Sequence, residues 1–101
     1  MSTGSAQVVV RDNSDESRYE LLLDGEVVGE IRYRRRPDAI SLVHTEVAAA
    51  VEGRGLGAQL VESALNDLRA RGEKIVPICP FVSAYLRRHP EYADLVVERA
   101  R

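Results

Sequence analysis

The sequence predicts an α+β fold with a mixed sheet, in which an antiparallel four-strand meander precedes a helix, a strand and a helix (ββββ-α-β-α). Three observations carry this prediction. Short apolar runs alternate with turn signals through the first half, where Asp24-Gly25 is a strong hairpin signal. The apolar spacing becomes helical at Leu56. A second apolar run then follows the helix, and we expect a right-handed crossover between the two strands that flank it.

Four short runs form the predicted meander. They cover residues 7–11, 19–23, 26–33 and 39–47. In a regular strand, successive side chains point to opposite faces of the sheet. We therefore expect the fourth strand to place Ile40, Leu42, His44 and Glu46 on one face.

The second half predicts two helices around one strand. The first helix begins at Leu56, carries one apolar stripe to residue 68, and ends at Gly72. Residues 74–78 form an apolar strand, and a shorter helix covers roughly residues 82–88. The tail, residues 92–98, adds a last short strand or packs as an extended segment.

Length and composition limit the class of protein. The 101 residues suffice for one domain, which we expect at residues 7–101 behind a disordered segment 1–6. Hydrophobic residues at 45% and charged residues at 30% indicate a soluble globular chain. A net charge of −2 argues against a nucleic-acid binder, and the apolar runs are too short to span a membrane. The lone Cys79 favours a reducing, cytoplasmic setting.

The segment VEGRGLGAQL, residues 51–60, places three glycines directly before the first helix. Glycine lets the backbone turn sharply and approach a ligand without an intervening Cβ. The first N–H groups of a helix lack partners and lie at the positive end of its dipole, so this loop favours an anion such as a phosphate. The other interpretation is that the glycines only permit a tight turn from strand to helix.

Two familiar phosphate-binding motifs do not fit this segment. The P-loop requires a Lys-Ser/Thr pair at its end, which is missing here. Gly53, Gly55 and Ala58 match the dinucleotide-binding pattern formally. The strands before them form a meander, however, and the chain is too short for a doubly wound parallel sheet.

Three blocks of sequence resemble a known family when they are taken together. They are HTEV at 44–47, GRGLG at 53–57 and CPFVSAYLRRHPEY at 79–92. In this order and length they are similar to the minimal, single-domain GNAT-like N-acetyltransferases of the GNAT acetyltransferase superfamily. The resemblance spans residues 19–96 and implies a GNAT-like mixed sheet that binds acetyl-CoA. Glu52 departs from the wider superfamily, which has Gln or Arg there, so we expect its carboxylate to point away from the ligand.

The resemblance also implies which residues hold coenzyme A. The pyrophosphate would bind the backbone amides of Gly53, Arg54, Gly55, Leu56, Gly57 and Ala58. The pantetheine arm would run between the fourth and fifth strands, past Val47 and Ile78. The acetyl thioester would lie near Cys79 and His44, and Tyr85 would contact the ligand from the following helix.

Acetyl transfer to an amine needs a base for the ammonium, an oxyanion stabiliser and an acid for the leaving thiolate. Tyr85 is the candidate acid, or it is a tyrosine of the core. Cys79 lines the pocket or accepts the acyl group, in which case His44 is its available base. His44 and Glu46 form a base and its partner, or an exposed strand surface. The spacing of histidine and cysteine predicts no metal site.

These expectations converge on an acetyl-CoA-dependent N-acetyltransferase that acts on an amine. The short chain suits a protein or another extended acceptor, because little sequence is left to enclose a small one. The alternative is a non-catalytic module that binds coenzyme A or acyl-CoA as a sensor or adaptor. We expect a monomer or weak homodimer, with neither nucleic acid nor membrane as a partner.

Overall fold

The computed structural model describes residues 7–97, so the predicted disordered segment 1–6 and residues 98–101 lie outside the described part. Within it, the strands are β1 (Val8–Asn13), β2 (Arg18–Leu23), β3 (Glu26–Arg35), β4 (Ile40–Val47) and β5 (Ile75–Pro77). The α-helices are α1 (Leu56–Ala70) and α2 (Pro80–Arg88). Short 3-10 helices cover Ala49–Val51 and Pro90–Leu95. The predicted order ββββ-α-β-α is confirmed.

The strands form a single mixed sheet in the order β1-β2-β3-β4-β5. The first four pair in antiparallel fashion, and β4 pairs with β5 in parallel. In the β2–β3 hairpin, Asp24 and Gly25 have φ angles of 51° and 86°. Positive φ at both central residues is what a type I′ turn requires, and this turn matches the natural twist of the two strands.

The core lies between α1 and one face of the sheet. The apolar stripe of α1 buries Leu60, Val61 and Leu65 completely, and the sheet contributes Leu21 and Ile31. Burial of this stripe removes apolar surface from water, which is the main force that holds the helix on the sheet. Neither α-helix of the described chain has the length and apolar character needed to cross a lipid bilayer.

A bulge in β4 makes the predicted alternation of this strand wrong. His44 pairs with Arg32 and Leu42 pairs with Tyr33, so Val43 has no partner on β3. The extra residue exchanges the two faces for the rest of the strand. Leu42 is fully buried against the helix side, whereas His44 lies on the opposite face with 57% of its side chain exposed.

The end of the chain also differs from the prediction. In the described part of the tail, residues 90–95 form a 3-10 helix and Val96 makes a parallel bridge to Ile75, while residue 98 of the predicted segment lies outside the described part. The Tyr92 hydroxyl donates a hydrogen bond to Oδ1 of Asn66 over 2.8 Å, which anchors this segment on α1. Helix α2 starts two residues earlier than predicted because Pro80 occupies its first position, where the missing N–H of proline costs nothing.

Candidate functional site

The sheet opens between β4 and β5 after only three residue pairs. The last pair joins Leu42 to Pro77. The amides of Ile78 and Cys79 then both donate to the Leu42 carbonyl, over 3.0 and 2.9 Å, and the chain turns away into α2. Residues 44–47 pair with β3 alone within the described chain, so their other edge is open. An open strand edge offers backbone donors and acceptors to a ligand.

The glycine loop brings a row of free amides to the start of α1. Gly53 and Gly55 have φ angles of 86° and 77°, and a Cβ at either position would meet no atom within 4 Å. Between residues 7 and 97, the amides of Gly53, Arg54 and Gly55 find no backbone acceptor. The first amides of α1 have no partner within the helix either. These groups lie at the positive end of the helix dipole, which suits an anion.

A cleft of about 490 Å³ connects this loop to the open edge of β4. Thr45 and Val47 line it from β4, and Phe81 lines it from α2. The loop and the start of α1 contribute residues 51–53 and 55–58, so the predicted ligand residue Arg54 is not among the residues that line the cleft. Glu52 is exposed and also belongs to the cleft wall, so the expected orientation of its carboxylate stays a prediction. The cleft therefore combines an end formed by free amides with a side that lies between a strand edge and an aromatic ring.

Cys79 lies directly behind the wall of this cleft. Its side chain is buried, and Sγ donates a hydrogen bond to Oγ1 of Thr45 over 3.2 Å. Its carbonyl accepts the Ser83 amide over 3.0 Å at the beginning of α2. The thiol is therefore separated from the cleft by Thr45, which lines it.

The structure does not bring His44 to Cys79. His44 Nε2 and Glu46 Oε1 lie 3.5 Å apart, so these two side chains are neighbours, but on the face of the sheet that lacks α1. On the neighbouring strand β3, Arg32 pairs with His44. Nε of Arg32 donates a hydrogen bond to Oε2 of Glu30 over 2.7 Å. Thr45 lies between His44 and Glu46 in sequence and points the other way because successive residues of a strand alternate.

Tyr85 is one turn beyond Phe81 on α2, outside the set of residues that line the cleft. Its ring stacks on His89 with a centroid distance of 4.0 Å and an interplanar angle of 19°. Burial and then the charge of Glu62 raise the pKa of Tyr85 to about 12. A phenol with this pKa stays protonated at neutral pH, but it matches a thiol of pKa about 8.5 poorly as a proton donor.

Sequence reasoning missed two residues of the cleft wall, Thr45 and Phe81. Both lie inside the blocks HTEV and CPFVSAYLRRHPEY. For Thr45 the alternation pattern was misleading, since only the bulge at Val43 turns its side chain towards the cleft. For Phe81 the available signal was an aromatic residue directly after a proline at a strand-to-helix junction. Residues 7–97 hold no cluster of three or more side chains suited to a metal ion.

Comparisons with known proteins bear on the family and the fold of this chain. The model of the GCN5-related N-acetyl-transferase family matches residues 18–95. In fold, the chain is similar to a GCN5-like protein of Staphylococcus aureus whose solution structure was determined by NMR. The TM-score is 0.67 and the identity 22%, over 92% of this chain and 91% of that one. This likeness confirms the mixed α+β fold. Since the family match extends over most of the sequence, this protein belongs to the GCN5-related N-acetyltransferases, the GNAT family.

Proposed function

We propose that this protein is an acetyl-CoA-dependent N-acetyltransferase that transfers the acetyl group to an amine of a protein or another extended substrate. One observation carries the proposal. A row of unpartnered amides at the start of α1 opens into a cleft that continues to the unpaired edge of β4. Coenzyme A has the matching order of chemical groups, since an anionic pyrophosphate is followed by an arm that contains amides.

The residues of the cleft fit such a ligand. The amides of residues 53–58 would hold the pyrophosphate, because they are free donors at the positive end of a helix. The open edge beside Val47 would pair with the amides of the pantetheine arm, with Ile78 on the other side of the opening. Bound acetyl-CoA would supply an activated thioester, which the amide row and the open strand edge would orient.

An extended acceptor suits the surroundings of the cleft. Ile78 and Phe81, next to the opening between β4 and β5, are 50% and 45% exposed, so a long substrate can reach this end of the cleft from solvent. We propose His44, with Glu46 as its partner, as the group that takes the proton of the incoming ammonium beside the open strand edge. Cys79 supports the cleft wall from behind, through its hydrogen bond to Thr45. Tyr85 is the acid expected from the sequence, but its place outside the cleft wall and its raised pKa argue against that role. A reducing cytoplasmic compartment suits the free thiol of Cys79. We also propose that the protein is a monomer or a weak homodimer.

A non-catalytic coenzyme A or acyl-CoA-binding module, acting as a sensor or adaptor, is the second candidate. One observation favours it. The candidate proton-transfer groups His44, Glu46 and Tyr85 are all absent from the residues that line the cleft. Ligand binding requires only the amide row and the strand edge, whereas transfer requires those groups to reach the ligand as well.

Two measurements separate the candidates. Calorimetric titration with coenzyme A tests binding, and loss of the thioester in the presence of lysine peptides, peptides with a free N-terminus and polyamines tests transfer. Turnover with any of these amines supports the acetyltransferase. Binding without turnover across all of them supports the module. A protein that binds neither coenzyme A nor acetyl-CoA overturns both candidates.

A further inference from the structure

Phe81 is a large apolar side chain held at the border of the cleft. It is 45% exposed and lies in the first turn of α2, directly after Pro80. The turn is anchored by Cys79, which is buried just before the helix begins. Single exposed apolar residues are common on protein surfaces. This one is distinguished by its place in a ligand cleft and by the residue on which its ring rests.

The ring of Phe81 lies directly on the backbone of α1 at Gly57. A Cβ at Gly57 would come within 2.9 Å of Cζ of Phe81, closer than real Cβ atoms approach other atoms, and within 3.3 Å of Cε2, which is a tight contact. The same Cβ would lie 3.6 Å from Cγ2 of Val47. Gly57 is helical, a position where alanine is normally favoured by about 0.5–1 kcal/mol. The missing side chain therefore makes room for the ring beside the free amides, with Val47 across from it.

A ligand that runs from the amide row to the open edge of β4 has to pass Val47 and Phe81. The pantetheine arm of coenzyme A carries methyl and methylene groups, and these would be removed from water by contact with the two side chains. The nucleotide half of coenzyme A, adenosine 3′-phosphate 5′-diphosphate, ends at the phosphates. It can bind the amides without touching the aromatic ring.

We infer that Phe81, seated on Gly57, is a specificity-determining residue that selects ligands bearing a pantetheine arm over the nucleotide alone. This rests on the proposed function, because it takes coenzyme A as the ligand. The selection comes from apolar contact that only the longer ligand can make. The ring forms one wall of the cleft beside Val47. Its removal widens the cleft there and removes one of the two apolar side chains that the arm would contact.

The test compares the affinities of coenzyme A and of its nucleotide half for Phe81→Ala by calorimetric titration. We expect Phe81→Ala to weaken coenzyme A about tenfold, as expected for a lost aromatic contact, and to change the nucleotide by less than about twofold. Phe81→Leu should fall in between. Val27→Ala is the matched control, because Val27 is 43% exposed and lies outside the cleft wall. It should change neither affinity.

A second variant tests the contact between the Phe81 ring and Gly57 without changing Phe81. Gly57→Ala keeps the amide but displaces the ring, so we expect a weakening of coenzyme A by about threefold or more. In the Phe81→Ala background the same change should cost less than about twofold, because no ring is left to displace. Thermal unfolding without ligand checks that all variants are folded.

The outcomes are distinct. Unchanged or tighter coenzyme A binding by Phe81→Ala overturns the inference, and so does an equal loss for both ligands. In either case the proposed function stands if the wild-type protein binds coenzyme A. A wild-type protein that binds neither ligand overturns the proposed function, and the inference with it.

Discussion

The thiol of Cys79 donates a hydrogen bond to Oγ1 of Thr45 over 3.2 Å, just beyond the last residue pair of the β4–β5 ladder. The two residues are 34 positions apart in sequence. Their contact links the start of α2 to β4 where the backbone ladder between β4 and β5 has ended. It therefore helps to define the width of the opening that the cleft uses.

This link predicts coupling between the two side chains. Thr45→Val keeps the shape of the side chain and removes the acceptor, so it should lower the free energy of unfolding by about 0.5–1.5 kcal/mol. Cys79→Ala removes the same bond from the other side. Thr45→Val/Cys79→Ala should therefore cost about 0.5–1 kcal/mol less than the sum of the single changes, as measured by urea denaturation. Strict additivity would contradict the role of the contact.

Cys79→Ala also tests the route of acetyl transfer. Because the thiol is buried, bonded to Thr45 and on the other side of β4 from His44, we expect direct transfer from acetyl-CoA to the amine. The variant should keep its affinity for coenzyme A and lose less than about tenfold in turnover, far less than the loss expected for a nucleophile. Intact-protein mass spectrometry of the wild type should show no acetyl adduct. An adduct that disappears together with most of the activity in Cys79→Ala would establish covalent transfer instead.

Gly55→Glu tests whether the amides of residues 53–58 bind an anion. It brings a carboxylate to the free amides, and like charges brought together cost several kcal/mol, so coenzyme A should bind about a hundredfold more weakly or not at all. Gly25→Glu is the matched control, since Gly25 also has a positive φ and free space around its Cα. Both changes should destabilise the fold by about 1–2 kcal/mol, the cost of a left-handed conformation without glycine. Equal coenzyme A affinities in the two variants would show that these amides do not bind the pyrophosphate.

The surroundings of Glu20 predict how the free energy of unfolding depends on pH. The amide of Asn13, followed by the guanidinium groups of Arg18 and Arg11, lowers the pKa of Glu20 to about 2, although burial opposes this. A lowered carboxyl pKa contributes stability above the unfolded value near 4.5, and this contribution is lost as the pH falls towards 2. Glu20→Gln should lower the free energy of unfolding by about 1.5–3 kcal/mol at pH 7. It should also make that free energy fall less steeply between pH 5 and pH 2.

Urea denaturation at several pH values measures this effect. Glu26→Gln is the control, because Glu26 is an exposed carboxylate at the β2–β3 hairpin. It should leave both the stability and its acid dependence nearly unchanged. A Glu20→Gln protein with the same slope as the wild type between pH 5 and 2 would show that the network around Glu20 does not carry the acid sensitivity.

Tyr85→Phe measures the contribution of the Tyr85 hydroxyl. The hydroxyl belongs to a ring that stacks on His89 outside the cleft wall, and its pKa is raised to about 12. We expect turnover to fall by less than about tenfold, since loss of a general acid usually costs about 10²–10⁴. The pH–activity profile should show no decline from tyrosine ionisation below pH 10. A fall of a hundredfold or more, with unchanged coenzyme A affinity, would identify Tyr85 as the acid.

Features that depend on local signals followed from the sequence. The turn at Asp24-Gly25 needs two positive φ angles, and few other residue pairs tolerate them. Helix α1 has the apolar period of a buried stripe and stops at Gly72, which has a φ of 74°. The amide row at residues 53–58 follows from glycines placed before a helix. These features depend on residues close together in the chain, so their physics can be evaluated without the fold.

Features that depend on distant segments required the tertiary structure. The bulge at Val43 decides that Thr45 rather than His44 faces the cleft, and it exists only because β3 and β4 pair in a particular register. The contact of Phe81 with Gly57 joins two helices whose packing no local pattern encodes. The sequence alone thus determined the element order and the glycine loop with its free amides. The tertiary structure decided which side chains surround that loop, because the free energy of strand register and helix packing is shared among residues far apart in the chain.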